Sequence, residues 1–237
     1  MTTAVLHPGE MGSAVAAALG HDVIWVPEGR SETTAERARA ANMTPGDPLH
    51  ADVILSICPP HAALDVARSV SAFEGIYVDA NAISPARSRE VQALVPRAAF
   101  VDGGIIGGPP TPGAAPTRLY LTGERAPEVA ARFADTIVEA RIVADAGALK
   151  MAYAAWTKGS AALLLAAHAA AEAYGVGDAL DAEWEELGLL DRLERARTAK
   201  AAKGWRWIAE MEEIAETFAA KDLPEGFHRA AAEVYRA

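Results

Sequence analysis

The segment Ala4-Val5-Leu6-His7-Pro8-Gly9-Glu10-Met11-Gly12-Ser13-Ala14-Val15-Ala16 compresses an apolar run, a glycine turn and an alanine-rich helical stretch into thirteen residues. A chain that turns this sharply from strand to helix presents the first-turn N–H groups of the helix just beyond the strand, where an anion can take them. Gly9 allows the backbone to approach a pyrophosphate, and Gly12 allows the helix to pack close to the strand, which is how dinucleotide-binding turns are built. The first glycine of the usual G-x-G-x-x-G is absent, because His7 stands there. His7, Pro8, Gly9, Glu10, Met11 and Gly12 are thus the first candidate cofactor residues, with an ordinary strand-to-helix turn as the alternative.

With 237 residues, half of them apolar, the chain can bury a substantial core without disulfides or metals. A formal charge of −10, from 32 acidic and 22 basic residues, disfavours nucleic acid and anionic membranes as general partners. Cys58 is the only cysteine, so neither an intrachain disulfide nor a thiolate cluster can form. No metal is expected. The N-terminus lacks a basic segment followed by a long apolar one, which implies a cytoplasmic protein. The most apolar stretch, Ala161 to Ala171, is too short to span a membrane and is interrupted by His168; it reads as a buried helix.

Short β-branched or apolar runs recur at Val23 to Val26, Val53 to Ile57, Ile76 to Val78 and Ala99 to Val101, separated by stretches of helical character. This alternation predicts an α/β fold, a Rossmann-type doubly wound parallel sheet. Arg118 to Leu121 and Ala140 to Val143 add candidate strands around a helical stretch from Ala126 to Glu139, so the sheet reaches six or more strands. After Asp145 the strand signal ends, and Gly147 to Tyr174 reads as one long helix stopped at Gly175-Val176-Gly177. Further helices are expected over Asp181 to Thr198, Gly204 to Ala220 and Gly226 to Arg236. The chain is thereby expected to divide into a dinucleotide-binding domain over 1–144 and a smaller helical substrate and dimerisation domain over 145–237. The segment Gly103 to Pro116, with its glycines and prolines, reads as an irregular loop of functional length.

About twenty residues past Gly9, where a dinucleotide fold distinguishes the two nicotinamide cofactors, stands Glu28-Gly29-Arg30-Ser31. Glu28 would accept from a ribose hydroxyl and favour NAD, whereas Arg30 and Ser31 would bind a 2′-phosphate and favour NADP; charge pairing favours NADP, with Ser31 also able to cap the following helix. The third and fourth strands end in Cys58-Pro59-Pro60-His61 and in Asp79-Ala80-Asn81, at the sheet edge where ligands bind in open parallel sheets. Cys58, Pro59 and Asn81 are therefore candidate cofactor residues. The Cys58 thiol itself reads as a packing group and His61 as a surface residue, since neither has an activating or ligating neighbour in the sequence. Adjacent glycines in Asp102-Gly103-Gly104-Ile105-Ile106-Gly107-Gly108 offer backbone N–H groups to a carboxylate or phosphate, or simply make a tight turn. Helical spacing puts Lys150, Tyr153, Ala154 and Thr157 on one face of the long helix, where a desolvated lysine is a candidate general acid or base and a snorkelling lysine is the alternative. His168 lies near the same azimuth but roughly 27 Å further along, at 1.5 Å per residue, so it reads as a core histidine.

Taken together, these stations resemble the β-hydroxyacid dehydrogenase superfamily, which includes 6-phosphogluconate and 3-hydroxyisobutyrate dehydrogenases and, more distantly, the imine reductases. The family fingerprint G-x-G-x-M-G appears as His7-Pro8-Gly9-Glu10-Met11-Gly12, and its D-x-S-T-I-S-P-like segment as Asp79-Ala80-Asn81-Ala82-Ile83-Ser84-Pro85. Its substrate loop D-x-P-V-S-G-G appears as Asp102-Gly103-Gly104-Ile105-Ile106-Gly107-Gly108, with Ile106 replacing the serine that helps hold a substrate carboxylate. The family's catalytic lysine falls on Lys150, while its K-x-x-N-N continues here as Lys150-Met151-Ala152-Tyr153-Ala154, without either asparagine. The stretch Gly204 to Ala215 looks like a branch with a shorter helical domain.

The resemblance implies an NADP-dependent oxidoreductase, with NAD as the alternative cofactor, acting on a small hydroxy acid or carbonyl compound. Lys150 is its expected general acid and base and Tyr153 a second hydrogen-bonding group. Asp102, Gly107, Gly108 and Thr157 are expected to hold the substrate. Imine reduction is an alternative, suggested by the missing carboxylate-reading residues and by Tyr153 and Trp156; a dinucleotide-binding sensor without catalysis is another. The helical domain is too small to bury its long helix alone, so a homodimer with intertwined C-terminal helices is expected.

Overall fold

A computed structural model describes all 237 residues. Residues up to 142 supply eight strands: β1 (Thr3–Val5), β2 (Val23–Trp25), β3 (Thr44–Pro45), β4 (Val53–Ser56), β5 (Ile76–Asp79), β6 (Ala99–Ile106), β7 (Thr117–Thr122) and β8 (Val138–Ile142). They form one sheet in the order β3-β2-β1-β4-β5-β6-β7-β8. Every neighbouring pair is parallel except β6 and β7. Strand order reverses between β1 and β4, so the crevice beyond their carboxyl ends is the switch point at which doubly wound sheets bind ligands.

Successive strand residues serve opposite faces, as the two-residue period requires. Val5, Val53, Leu55 and Val78 join one core cluster with Val15 and Leu19 of α1 (Glu10–Leu19), Ala38 of α2 (Glu32–Ala40) and Val129 of α5 (Ala126–Arg132). Leu6, Ile54 and Tyr77 join the other with Val66 of α3 (Ala63–Ser69) and Val91 of α4 (Pro85–Leu94). The sheet is thus covered on both sides, which explains why its central strands read as unbroken apolar runs.

Beyond the sheet come α6 (Ala146–Ala173), α7 (Gly177–Glu186), α8 (Leu190–Ala219) and α9 (Gly226–Arg236). The chain divides into two compact units, Met1–Lys150 and Met151–Ala237. In the second, Met211, Ile214 and Ala215 of α8 are buried together with Ala231, Ala232 and Tyr235 of α9. No helix is long and apolar enough to cross a membrane.

Several elements differ from the pattern read off the sequence. Gly103 to Ile106 belong to β6, not to a loop, and pair with Leu121 to Arg118 of β7. The pairing is antiparallel because no crossover helix separates the two strands. Their glycines are demanded by close packing: a Cβ on Gly103 would lie 3.0 Å from Asp79 O, and one on Gly104 would lie 2.7 Å from Ala146 O. The stretch Ala126 to Glu139 is helical only to Arg132, after which Asp135 takes a positive φ of 62° and the chain enters β8. A helix over Asp181 to Thr198 does not form, because Gly188 turns the backbone at φ 65°. Instead α8 starts at Leu190 and runs through Gly204, where a side chain would approach Lys200 Cγ at 3.3 Å and Tyr235 O at 3.7 Å. Ala161 to Ala171 is helical but not a buried helix, since only Ala162 and His168 of that stretch are buried.

Candidate functional site

The turn from β1 to α1 assigns different work to its glycines. A Cβ on Gly12 would meet His7 O at 2.6 Å and Val5 Cγ1 at 3.2 Å, so the strand–helix contact itself requires glycine there. A Cβ on Gly9 would meet nothing within 4 Å. Gly9 therefore borders open space at the N-cap of α1, held by its N–H bond to His7 O at 2.8 Å and by the Ser13 hydroxyl on Gly9 O at 2.7 Å. No side chain caps α1, whereas Ser31 caps α2 and Ser84 caps α4. The first-turn amides at Met11 and Gly12 have no acceptor within their own helix and sit at its positive end, a place suited to a phosphate.

Beside this turn, His7 is partly buried, with Nδ1 enclosed and without a hydrogen-bond partner. Burial, and secondarily the Arg30 guanidinium, lower its pKa from 6.5 to about 4, so it is neutral at pH 7. Arg30 follows a turn closed by its N–H on Pro27 O at 3.1 Å, in which Gly29 supplies a φ of 72°. Its Nε is likewise buried without a partner. Two enclosed nitrogens with no hydrogen-bond partner in the protein, the Arg30 donor and a His7 nitrogen, are what a polar ligand would satisfy. Ser31 Oγ accepts from Thr34 N at 3.3 Å, and Glu28 lines an open groove of about 490 Å³ with Pro45 and Asp47.

The loops after β4 and β5 are braced to each other. Asn81, almost fully buried, accepts from Cys58 N at 2.6 Å through Oδ1 and donates through Nδ2 to Ser56 Oγ at 3.1 Å, while its own N–H donates to Asp79 Oδ1 at 3.1 Å. Both ends of the Asn81 side chain are thus used in shaping the crevice wall that carries Cys58 and Pro59. Burial, with Asp79 adding its charge, pushes the Cys58 thiol up to about 12, which keeps it protonated and inert. His61 lies exposed in a single 3-10 turn beyond.

At the other end of the site, three side chains accept successive amides at the start of α6. Ala146 N donates to Thr122 Oγ1 at 2.9 Å, Gly147 N to Asp102 Oδ2 at 2.7 Å and Ala148 N to Asp145 Oδ1 at 2.7 Å. Asp102 also accepts from Ser88 Oγ at 3.0 Å; burial raises its pKa, and the Gly147 and Ser88 bonds oppose that rise. Asp102 therefore engages both oxygens, Oδ2 with the start of α6 and Oδ1 with Ser88 of α4. One turn on, Lys150 Nζ donates to Ile105 O at 2.6 Å, the last carbonyl but one of β6. Immediately beyond β6, Gly107 adopts φ 120° against Pro116 O, and Gly108, with nothing within 4 Å of its Cβ position, has its carbonyl tied to Thr117 Oγ1 at 2.6 Å.

Tyr153 and Thr157 lie further along α6, in the second unit, and both are exposed; the Thr157 hydroxyl donates back to Tyr153 O at 3.1 Å. In that unit His168 is buried beside Trp184, with Nε2 3.2 Å from Asp181 Oδ1 and Nδ1 3.1 Å from Arg197 Nη2. Ser56, Ser88 and Thr122, which hold the site together, carried no signal in the sequence. Nor did the Ile105 carbonyl, since a main-chain acceptor is independent of residue type.

Residues 171–237 match the model of a domain of unknown function (DUF1932). An uncharacterized 28.5 kDa protein encoded in the 7S RNA 5′ region of Methanothermus fervidus is 31% identical over 135 residues, 55% of this chain and 52% of that protein. The match thus spans about half the length of that curated relative, 52%. A conserved protein of unknown function whose structure is described as similar to the 3-hydroxyacid dehydrogenases superposes with a TM-score of 0.71 at 26% identity, over 100% of this chain and 96% of that one. The Mycobacterium tuberculosis 3-hydroxyisobutyrate dehydrogenase shares the fold with a TM-score of 0.69 at 20% identity, over 99% and 92% of the two chains. Imine reductases share it too, at lower identity.

The depressed His7 value has a consequence for stability. Between its ordinary pKa of 6.5 and about 4 the unfolded chain binds a proton at His7 that the folded chain refuses. Its contribution is complete above that window and declines as pH falls through it. Urea unfolding across this range is expected to show a fall in midpoint toward acid that is shallower in His7→Gln.

Proposed function

We propose that this chain, which fits the superfamily of the 3-hydroxyacid dehydrogenases, is a nicotinamide-dependent oxidoreductase that uses NADP and acts on a small hydroxy acid or carbonyl compound. The observation that carries the reading is the contrast between two helix starts in one unit. The N-terminus of α6 is closed by Thr122, Asp102 and Asp145, while that of α1 is left without a side-chain cap beside two enclosed, unpartnered nitrogens, His7 Nδ1 and Arg30 Nε.

The residues present suit a phosphorylated dinucleotide. Gly9 leaves room for a pyrophosphate, the Met11 and Gly12 amides and the α1 dipole favour its charge, and Arg30 with Ser31 suits a 2′-phosphate. The loop of Cys58 and Pro59, braced by Asn81, forms the neighbouring wall. The bound nicotinamide supplies or takes the hydride.

Lys150 does the proton work. Its bond to Ile105 O fixes where the amine points, and the capped start of α6 fixes the backbone that carries it. In reduction the ammonium gives a proton to the substrate oxygen as carbon accepts the hydride; in oxidation the amine takes that proton back. Gly107 and Gly108 receive the far end of the substrate, Asp102 acts through the helix it holds, and Tyr153 and Thr157 offer further hydroxyl groups. A homodimer is supported by Tyr153, Trp156 and Leu163, which stand 45%, 68% and 56% exposed on one stripe of α6.

Titration with NADPH and NADH side by side is expected to show saturable binding with preference for NADPH, and Arg30→Ala is expected to lower NADPH affinity about tenfold or more while leaving NADH nearly unchanged. Preference for NADH would transfer the ribose contact to Glu28, and binding of neither would end the oxidoreductase reading. Lys150→Met should reduce turnover of short 3-oxo acids, assayed beside cyclic imines, by roughly 10²–10⁴ with cofactor affinity retained. Equal loss of both would remove Lys150 from the chemistry. Light scattering at micromolar concentration is expected to read a dimer.

A further inference from the structure

In a chain of net charge −10, the segment of α8 from Arg192 to Arg206 carries Arg192, Arg195, Arg197, Lys200, Lys203 and Arg206 against a single acid, Glu194. Four acids of this helix come later, at Glu210, Glu212, Glu213 and Glu216, while Asp191 stands in its first turn just before the basic segment. That polarity runs against the helix dipole, which favours acids near the N-terminus and bases near the C-terminus.

Two of these bases, Arg192 and Arg195, line one groove. Glu194 pairs with Arg197 at 3.7 Å, whereas neither Arg192 nor Arg195 makes a hydrogen bond or ion pair with the protein. Being three residues apart with buried Leu193 and Ala196 beside them, they stand on the same side of α8, a like-charge arrangement that weakens an isolated helix. Both line a groove of about 230 Å³ in the helical unit, together with Thr157, Ser160 and Leu164 of α6 and Trp207. Two guanidinium groups thus line it with two hydroxyls, each pair spaced three residues apart on its own helix. The Trp207 ring is held edge-on by Tyr235 at 5.1 Å, and Tyr235 is tied in turn through its hydroxyl to Lys158 O at 2.5 Å. The groove has a fixed aromatic wall and two cations that lack a protein counter-charge.

We propose that this groove binds the anionic end of a small molecule, a carboxylate or a phosphate monoester, with Arg192 and Arg195 as the charge-bearing donors and Ser160 as a neutral one. Guanidinium pairs suit such groups because their planar forks donate in parallel to two oxygens. Taking that molecule for the substrate rests on the oxidoreductase reading above; the anion site does not.

The test uses the full chain carrying Arg30→Ala, which weakens competing phosphate binding near α1, with inorganic phosphate and acetate as probes and tryptophan fluorescence as readout. Saturable binding of either probe is expected, with the signal lost in Trp207→Phe and affinity reduced about tenfold or more in R192Q/R195Q. Preference for phosphate assigns an ester and preference for acetate a carboxylate, each supporting the site. Binding that is unchanged in R192Q/R195Q, or no saturable binding at all, overturns it. Should the double variant misfold by circular dichroism, Arg195→Gln and Ser160→Ala singly are expected to weaken binding, and unchanged affinity in both overturns the site. A change of oligomeric state in R192Q/R195Q without anion binding by the parent makes the groove a subunit contact and likewise overturns the proposal. NADPH titration of the parent with Arg30 intact separates the two readings: phosphate binding that depends on Arg192 and Arg195 stands even where NADPH does not bind.

Discussion

The structure around the end of β6 hangs on the start of α6. Three consecutive amides, from Ala146 to Ala148, are accepted by side chains from three different places: Thr122 at the end of β7, Asp102 in β6 and Asp145 just before the helix. A buried helix end with unmet amides is costly, so these bonds dictate where the helix can begin and how it leaves the sheet. The contact is close enough to exclude side chains: a Cβ on Gly104 would lie 2.7 Å from Ala146 O, and one on Gly147 would lie 3.0 Å from Asp102 Oδ2. Lys150, one turn further, inherits its position from that junction and reaches Ile105 O.

Electrostatics divides the helix starts of the sheet unit into closed and open ones. Ser31 and Ser84 close α2 and α4, and the α6 start is closed three times over. Only at α1 does an uncapped terminus coincide with enclosed nitrogens that lack partners, on His7 and Arg30. The neutrality of His7 belongs to the same picture: burial penalises a charged imidazole there, and repulsion from the Arg30 guanidinium adds to the penalty.

The helical unit follows different rules. Its interior is stitched by polar groups as well as apolar ones: Lys158 pairs with Glu210, His168 lies between Asp181 and Arg197, and Tyr235 reaches the Lys158 carbonyl. The surface, by contrast, keeps large apolar groups such as Trp156 and Leu163 exposed, together with cations on α8 that the unit does not neutralise.

Composition and periodicity were enough to read a doubly wound sheet followed by helices, because alternation of apolar runs and glycine turns is a local property of the chain. The glycine turn at Gly9 and Gly12 and the cap at Ser31 were legible for the same reason: each depends on neighbours a few residues away. What tertiary structure alone decided is which polar groups are spoken for. Asp102 reads in the sequence as a substrate group, yet its oxygens hold Gly147 and Ser88; Asn81 reads as a cofactor contact, yet its amide braces Cys58 and Ser56. Gly103 and Gly104 read as a loop, yet they are strand residues thinned to admit Asp79 O and Ala146 O. These partners lie 14 to 45 residues apart in the chain, and a main-chain carbonyl such as Ile105 O leaves no mark in the residue types at all. Local pattern determines elements; only long-range packing determines which hydrogen-bonding groups remain for chemistry.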